Sequence, residues 1–227
     1  MRAVEGLQVA IDGPSGSGKG TVAVEVGARL DLPVLDSGLL YRFTGWRARD
    51  LGVALDDGAA LAAMLRKEAE RLRWRAGGSL LFDGVECAGR LRGEEVGAAA
   101  SSVAAQPEVR SALLSLQRTL AAAGCVMDGR DIGTVVLPDA QAKFFLTASR
   151  RERARRRWMQ LRAAGHDRVD LADVEADLAR RDARDRERSV APLVPAADAV
   201  VIDSTTLRVD QVVDRVLTVL RRRGLVV

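Results

Sequence analysis

The sequence predicts an α/β domain in which a five-stranded parallel sheet is wrapped by helices and carries a small antiparallel insert and a helical, arginine-rich lid. Three observations lead there. Short apolar runs near residues 9, 34, 126, 144 and 201 have the length of buried parallel strands, and helical patterns separate them. From about residue 66 to 100 the period changes to two and turn signals appear, which marks a meander inserted into an alternating chain. From about 150 to 188 arginines crowd two helical segments.

The chain of 227 residues can bury one full core with a modest insertion. The expected division is residues 1–65 and 101–227 as the core, with the lid at about 150–188, and residues 66–100 as an inserted subdomain. The first residues lack the apolar core of a secretory signal, and no stretch approaches the roughly 20 apolar residues of a membrane span. A cytoplasmic monomer with no membrane partner is expected. Cys87 and Cys125 have neither metal-ligand nor CxxC spacing and read as free thiols. A formal charge of +4 admits nucleic-acid binding, but the arginines are clustered and aromatic residues make up only 4%, leaving few stacking platforms. No nucleic-acid partner is therefore expected.

In chain order, the apolar run Leu7 to Asp12 is followed by Gly13-Pro14-Ser15-Gly16-Ser17-Gly18-Lys19-Gly20-Thr21 and then by Val22-Ala23-Val24-Glu25-Val26. Strand, glycine loop and helix in that order form the context of a phosphate-cradling P-loop, the nucleotide-binding loop of P-loop NTPases. The glycines let backbone N–H groups converge on one anion, and the helix aims its positive end at the same point. A plain Gly/Ser turn needs neither the flanks nor the lysine. Only Lys19, Lys67 and Lys143 are lysines in a chain that otherwise writes its cations as arginine. Gly20 stands where Ser or Thr ordinarily holds Mg²⁺, so Thr21, one residue later, is the candidate metal ligand, directly or through water.

Leu32 to Asp36 reads as a short strand and Ser37 onward as a helix, with Ser37 placed to cap it and Tyr41 on the same face. In the insert, Arg71 to Arg75 alternates, Gly77-Gly78 turns, Leu80 to Phe82 is apolar, and Asp83-Gly84 turns again before Val85 to Cys87. Pro107 opens a helix whose stripe is Val109, Leu113, Leu116 and Leu120, with Arg110 beside it. Strands follow at Cys125 to Asp128, Ala142 to Leu146 and Ala199 to Asp203, and the terminal helix is amphipathic through Val213, Val216, Leu217 and Leu220.

The lid reads as two helices around Ala164-Gly165-His166-Asp167. In the first, Ala154, Trp158 and Leu161 share a face, and Arg150, Arg151, Arg153, Arg155, Arg156 and Arg157 form a solvated basic remainder. In the second, the stripe Leu171, Val174, Leu178 continues as Arg181, Asp185 and Arg188. Either that face enters a polar site, or Arg181 and Asp185 are an i,i+4 surface pair.

Ligands of open parallel sheets gather at the carboxyl ends of the strands. That rule brings Asp36-Ser37, Asp128-Gly129-Arg130-Asp131, Arg110 and the charged face near Arg181 to the glycine loop. Phosphoryl transfer depends on positioning and charge neutralisation, which this inventory supplies. Lys19, Asp128 and Arg130 are the candidate catalytic groups, and Ser37 and Tyr41 join the candidate substrate-binding residues.

Residues Gly13 to Thr21, Leu35-Asp36-Ser37-Gly38, Tyr41-Arg42, Asp128 to Thr134, Arg184-Asp185-Arg186 and Ala191 to Ala196 together resemble the bacterial cytidylate kinase family of nucleoside monophosphate kinases. The resemblance implies transfer of the ATP γ-phosphoryl group to CMP or dCMP with Mg²⁺, and an insert that binds the acceptor nucleotide. It implies that Arg42 and Arg130 hold the acceptor phosphate, that Ser101, Arg110, Asp131 and Arg188 hold the cytosine, and that Arg181 and Asp185 hold the sugar. Arg156 and Arg157 would approach ATP, although Trp158 and the added arginines depart from the family's lid. Cytosine offers an amino donor at N4 and acceptors at N3 and O2, which a carboxylate and arginines complement, whereas uracil reverses the first two. The alternatives are a kinase for UMP or AMP and, from another class, a nucleic-acid-binding module regulated by ATP.

Overall fold

The computed structural model describes residues 1–75, 79–87, 89–91, 93–188 and 190–227, with backbone only for Arg75 and Glu94. Its elements in chain order are β1 (Gln8–Asp12), α1 (Lys19–Leu30), β2 (Val34–Asp36), α2 (Ser37–Leu51), α3 (Gly58–Glu68), β3 (Leu72–Arg75), β4 (Ser79–Phe82), β5 (Val85–Glu86), α4 (Glu94–Val103), α5 (Pro107–Ala121), β6 (Cys125–Gly129), β7 (Ala142–Thr147), α6 (Arg150–Ala163), α7 (Leu171–Glu187), β8 (Val200–Asp203) and α8 (Val209–Arg222). The five apolar runs form one sheet in the order β2-β6-β1-β7-β8, with every pairing parallel. Helices cover both faces of its centre, so Val9, Ala10 and Ile11 on β1 are wholly buried. One face packs Val22, Val26, Val213 and Leu217 of α1 and α8; the other packs Met127, Ala121 and Ile132.

The meander forms as expected, in the antiparallel order β3-β4-β5. Asp83 and Gly84 have φ of 52° and 78° and join Phe82 to its partner Val85, the geometry that a two-residue hairpin of right-twisted strands requires. The Gly77-Gly78 turn lies outside the described residues. Leu72, Leu80, Cys87 and Leu91 bury themselves against Leu40, Phe43, Leu61 and Leu113, so the meander shares its core with α2, α3 and α5. The expected boundary at residue 100 falls inside α4.

The two lid helices also form, around a break where Gly165 has φ of 87°. Ala154, Leu161, Val174 and Leu178 pack between them, and the Trp158 indole donates to the Val169 carbonyl at 2.9 Å. Two expectations are corrected. Arg153 is not part of a solvated face; it is buried and paired with Asp182 across the lid. Ser37 does not cap α2: Asp36 does, accepting from the Gly38 amide at 2.9 Å, while the Ser37 hydroxyl donates to the Asp128 carbonyl at 2.8 Å. Both cysteines are buried and free, and among the described residues no helix is long and apolar enough to cross a membrane.

Candidate active site

The glycine loop leaves β1 at Gly13, whose φ is 152° and where an added Cβ would lie 2.0 Å from the Leu146 carbonyl oxygen. No other residue fits there. Gly16 is equally constrained, because a Cβ would lie 2.9 Å from the Arg153 carbonyl oxygen on α6. Gly18 caps α1, and Lys19 is that helix's first residue, so the ammonium and the helix's free N–H groups address one place. Burial and the Arg130 guanidinium hold Lys19 below the ordinary lysine range, against the opposing pull of Asp128, Asp36 and Asp185.

In front of the loop lies a cleft of about 660 Å³. Ser15, Lys19 and Gly20 line it from the loop, Ser37, Tyr41 and Arg42 from α2, and Ser101 and Arg110 from α4 and α5. Asp128, Arg130 and Asp131 enter from β6 and the segment after it, and Arg181, Asp185 and Arg188 from α7 and its end. These predicted residues, far apart in the chain, are brought together. Gly13, Pro14, Gly16, Ser17 and Gly18 form the loop without lining this cleft, and Thr21 is exposed on α1 outside it. Arg156 lies behind the loop, donating to the Ser17 carbonyl at 3.3 Å and to the Ser204 hydroxyl and carbonyl at 3.0 and 2.6 Å.

At the middle of the cleft the guanidinium groups converge. Arg42 is held below the ordinary arginine range by burial first, then by Arg181, Arg157 and Arg130, with Asp36 opposing. An added Cβ at Gly97 would lie 3.3 Å from Arg181 and 3.6 Å from Arg42, which places both guanidiniums over the same turn of α4. Like charges so arranged call for a polyanion between them. Asp185 and Arg181 do not pair with each other: Asp185 takes the Arg130 Nε at 2.8 Å, and Arg181 takes Asp177 at 3.0 Å.

At one end, Arg110 and Asp131 form a buried ion pair, and the Arg110 guanidinium carbon lies 5.8 Å from the centre of the Tyr41 ring. The Nε and Nη2 of Arg188 are buried there without a hydrogen-bond partner among the described residues. Burial, and then Arg110, hold Arg188 below its ordinary range, and burial pushes the Tyr41 hydroxyl up to about 12. A planar ligand with donors and acceptors on one edge would satisfy these groups.

Near Lys19, the neighbouring strands β2 and β6 set Asp36 beside Asp128. Burial and then Asp36 raise the Asp128 carboxyl well above the usual carboxylate range, and its Oδ1 is buried without a partner among the described residues. Among the described residues no three metal-ligating side chains cluster, but two carboxylates beside a phosphate site suit a hard cation that takes its other oxygens from phosphate and water.

The sequence reading missed Arg153, Asp182, Ser204 and Gly97. For the first two a signal existed: Arg153 stands eight residues before Leu161, and Asp182 four after Leu178, so helical spacing puts each on a buried stripe.

A family profile described as Cytidylate kinase matches residues 9–222. The chain is 46% identical over 213 residues to a cytidylate kinase of Desulfitobacterium hafniense, covering 93% of this chain and 91% of that one. It is 48% identical over 225 residues to a cytidylate kinase of Stutzerimonas stutzeri, covering 96% of each. Among solved structures, an uncharacterized protein from Eubacterium ventriosum shares the fold with a TM-score of 0.53 at 14% identity, over 95% of this chain and 98% of that one.

Proposed function

The chain belongs to the cytidylate kinase family, and from that premise we propose how its cleft transfers the γ-phosphoryl group of ATP to CMP or dCMP, giving ADP and CDP or dCDP. The observation that carries the reading is the convergence of Arg42, Arg130 and Arg181 in one cleft between the glycine loop and the buried Arg110–Asp131 pair. A base reader, an anion pocket and a phosphate loop then lie in the order in which an acceptor nucleotide and the end of a triphosphate would meet.

The glycine loop and Lys19 hold the donor phosphates, and Arg42 and Arg130 hold the acceptor phosphate in line with them. Arg181 and Asp185 flank the sugar. Asp131 accepts the cytosine N4 amino group, while Arg110, Arg188 and Ser101 address the rest of the base edge. The negative charge spread over the transferring group is met by Lys19 and the arginines, which is most of what this reaction asks of a protein. Mg²⁺, held through Asp128 with Asp36 beside it, would neutralise the phosphate oxygens and orient them. Thr21 serves the donor side from outside the cleft, and Arg156 steadies the loop from behind.

The test is release of ADP from ATP in a coupled assay with CMP, dCMP, UMP and AMP supplied in turn. Turnover with the cytidine nucleotides that exceeds the others at least tenfold in kcat/KM is expected. Equal use of UMP or AMP would defeat the base assignment. Negligible ADP release alongside salt-dependent oligonucleotide binding would favour a nucleic-acid-binding module instead.

A further inference from the structure

Asp12 ends β1 and leads directly into the glycine loop, yet it does not line the cleft. Its carboxylate is 3% exposed, and each oxygen accepts one backbone N–H: Oδ1 from Ile132 at 2.8 Å and Oδ2 from Gly133 at 2.7 Å. These two amides open a single π-helical turn, Ile132–Val136, whose capping residue is Asp131. From the other side, the Asp131 carbonyl accepts the amides of Val135 and Val136 at 2.9 and 3.1 Å. The backbone of Asp131 is thus tied ahead by Asp12 and behind by its own turn. Its side chain is left to face Arg110 in the cleft.

We propose that Asp12 is a positioning residue for base recognition, pinning the turn after Asp131 and so setting the aim of the Asp131 carboxylate without touching the substrate. The inference rests on the cytidylate reading of the cleft. A buried carboxylate that accepts two amides is the one side chain of this size able to take both bonds, since an amide in its place offers an N–H to an N–H. Burial also pushes Asp12 up to about 6, with Asp131 adding to the rise and Lys19 opposing it. Asp128 faces it as well, and the aliphatic part of Lys143 packs against Gly133 beside it. Keeping an ionised group there costs stability, which points to a role other than holding the fold.

The experiment measures kcat and KM for ATP, CMP and UMP in the wild type, Asp12→Asn, Asp131→Asn and the double variant. Asp12→Asn is expected to raise KM for CMP and to lower the CMP to UMP ratio of kcat/KM by about fivefold, the effect of one lost hydrogen bond, with KM for ATP within about twofold. In the Asp131→Asn background it should change the ratio no further. A purely structural loosening would lower kcat with both acceptors and leave the ratio alone, and that result overturns the inference, as does a full additional effect in the double variant. Should Asp12→Asn not fold, Asp12→Glu, which keeps both acceptor oxygens but moves them by one methylene, gives the same answer: its CMP to UMP ratio should also fall, and an unchanged ratio overturns the inference. A wild type without preference for CMP overturns the cytidylate reading and this inference together, whereas an undiminished CMP to UMP ratio in Asp12→Asn overturns this inference alone.

Discussion

Arg153 on α6 and Asp182 on α7 form a bidentate ion pair, 3.1 Å from Nη1 to Oδ1 and 2.6 Å from Nη2 to Oδ2, with both side chains 4% exposed. The same guanidinium donates to the carbonyls of Ala148 and Ser15, each at 3.1 Å. One arginine therefore joins both lid helices to the phosphate loop. Asp182 sits on α7 next to Arg181 and one turn before Asp185, so the pair also fixes the face that those residues present to the cleft.

Removing one partner should be far worse than removing both. Asp182→Ala leaves a buried guanidinium without its counter-charge and should cost about 3–5 kcal/mol in urea denaturation. Arg153→Met with Asp182→Leu should recover much of that loss, since no charge is then buried. A single variant that loses less than about 1 kcal/mol would show that the lid base is solvated and the pair dispensable.

Lys19→Ala tests the phosphate loop. Among the described residues the ammonium makes only a 3.4 Å contact to the Pro14 carbonyl, too long to contribute much to folding. Its loss should leave the unfolding free energy within about 0.5 kcal/mol of wild type. Turnover should fall at least a hundredfold to a thousandfold, as expected for a group aimed at developing charge. Near-normal kcat would remove Lys19 from the mechanism.

The strands were legible because a parallel sheet covered on both faces makes its central strands uniformly apolar, as at Val9 to Ile11 and Val126 to Met127, and helical patterns separate the runs. The cap of α2 was ambiguous by one residue, since Asp36 and Ser37 are both good caps and only the contact from Ser37 to Asp128, 91 residues away, decides between them. Arg153 and Asp182 were hidden by polarity: each lies on an apolar stripe but is charged, and only the partner across the lid makes burial tolerable. The union of the meander with α2 and α3 was likewise invisible, because period and turn signals are local and the contact between Phe82 and Phe43 is not. Asp12 gave no signal of its own, being one carboxylate at the end of a strand.

Asp12 should also leave a pH signature in stability. Its folded pKa of about 6 lies above the ordinary aspartate value of 3.8, so between those values the folded state binds more protons than the unfolded chain. Stability from this group is then greatest below the unfolded value and is lost as pH rises through about 6. The shift corresponds to about 3 kcal/mol as an upper figure. The quantity to follow is the difference in unfolding free energy between wild type and Asp12→Asn, from pH 4 to 7.5, which should move against the wild type as pH rises. A difference that stays constant, or moves the other way, would mean that the carboxylate is not held in a desolvated site.

The sharpest test of base recognition is Asp131→Asn. An ionised carboxylate only accepts hydrogen bonds, so Asp131 favours the N4 amino group of cytosine and repels the O4 of uracil. Asparagine has nearly the same size but presents an oxygen or an amino group according to how its amide is turned, and can meet either base. The structure adds a second consequence: Arg110 now faces Asp131 across a buried pair, and the substitution leaves that guanidinium with a neutral partner. The two effects separate by acceptor, because weakening Arg110 harms both bases, whereas losing the carboxylate harms cytosine alone. For CMP, kcat/KM should fall by about 1.5–3 kcal/mol, roughly ten- to a hundredfold, while UMP loses less or gains. A variant that folds and binds ATP but keeps the wild-type CMP to UMP ratio would show that Asp131 serves only to hold Arg110, and discrimination would then rest with Arg110, Arg188 and Ser101.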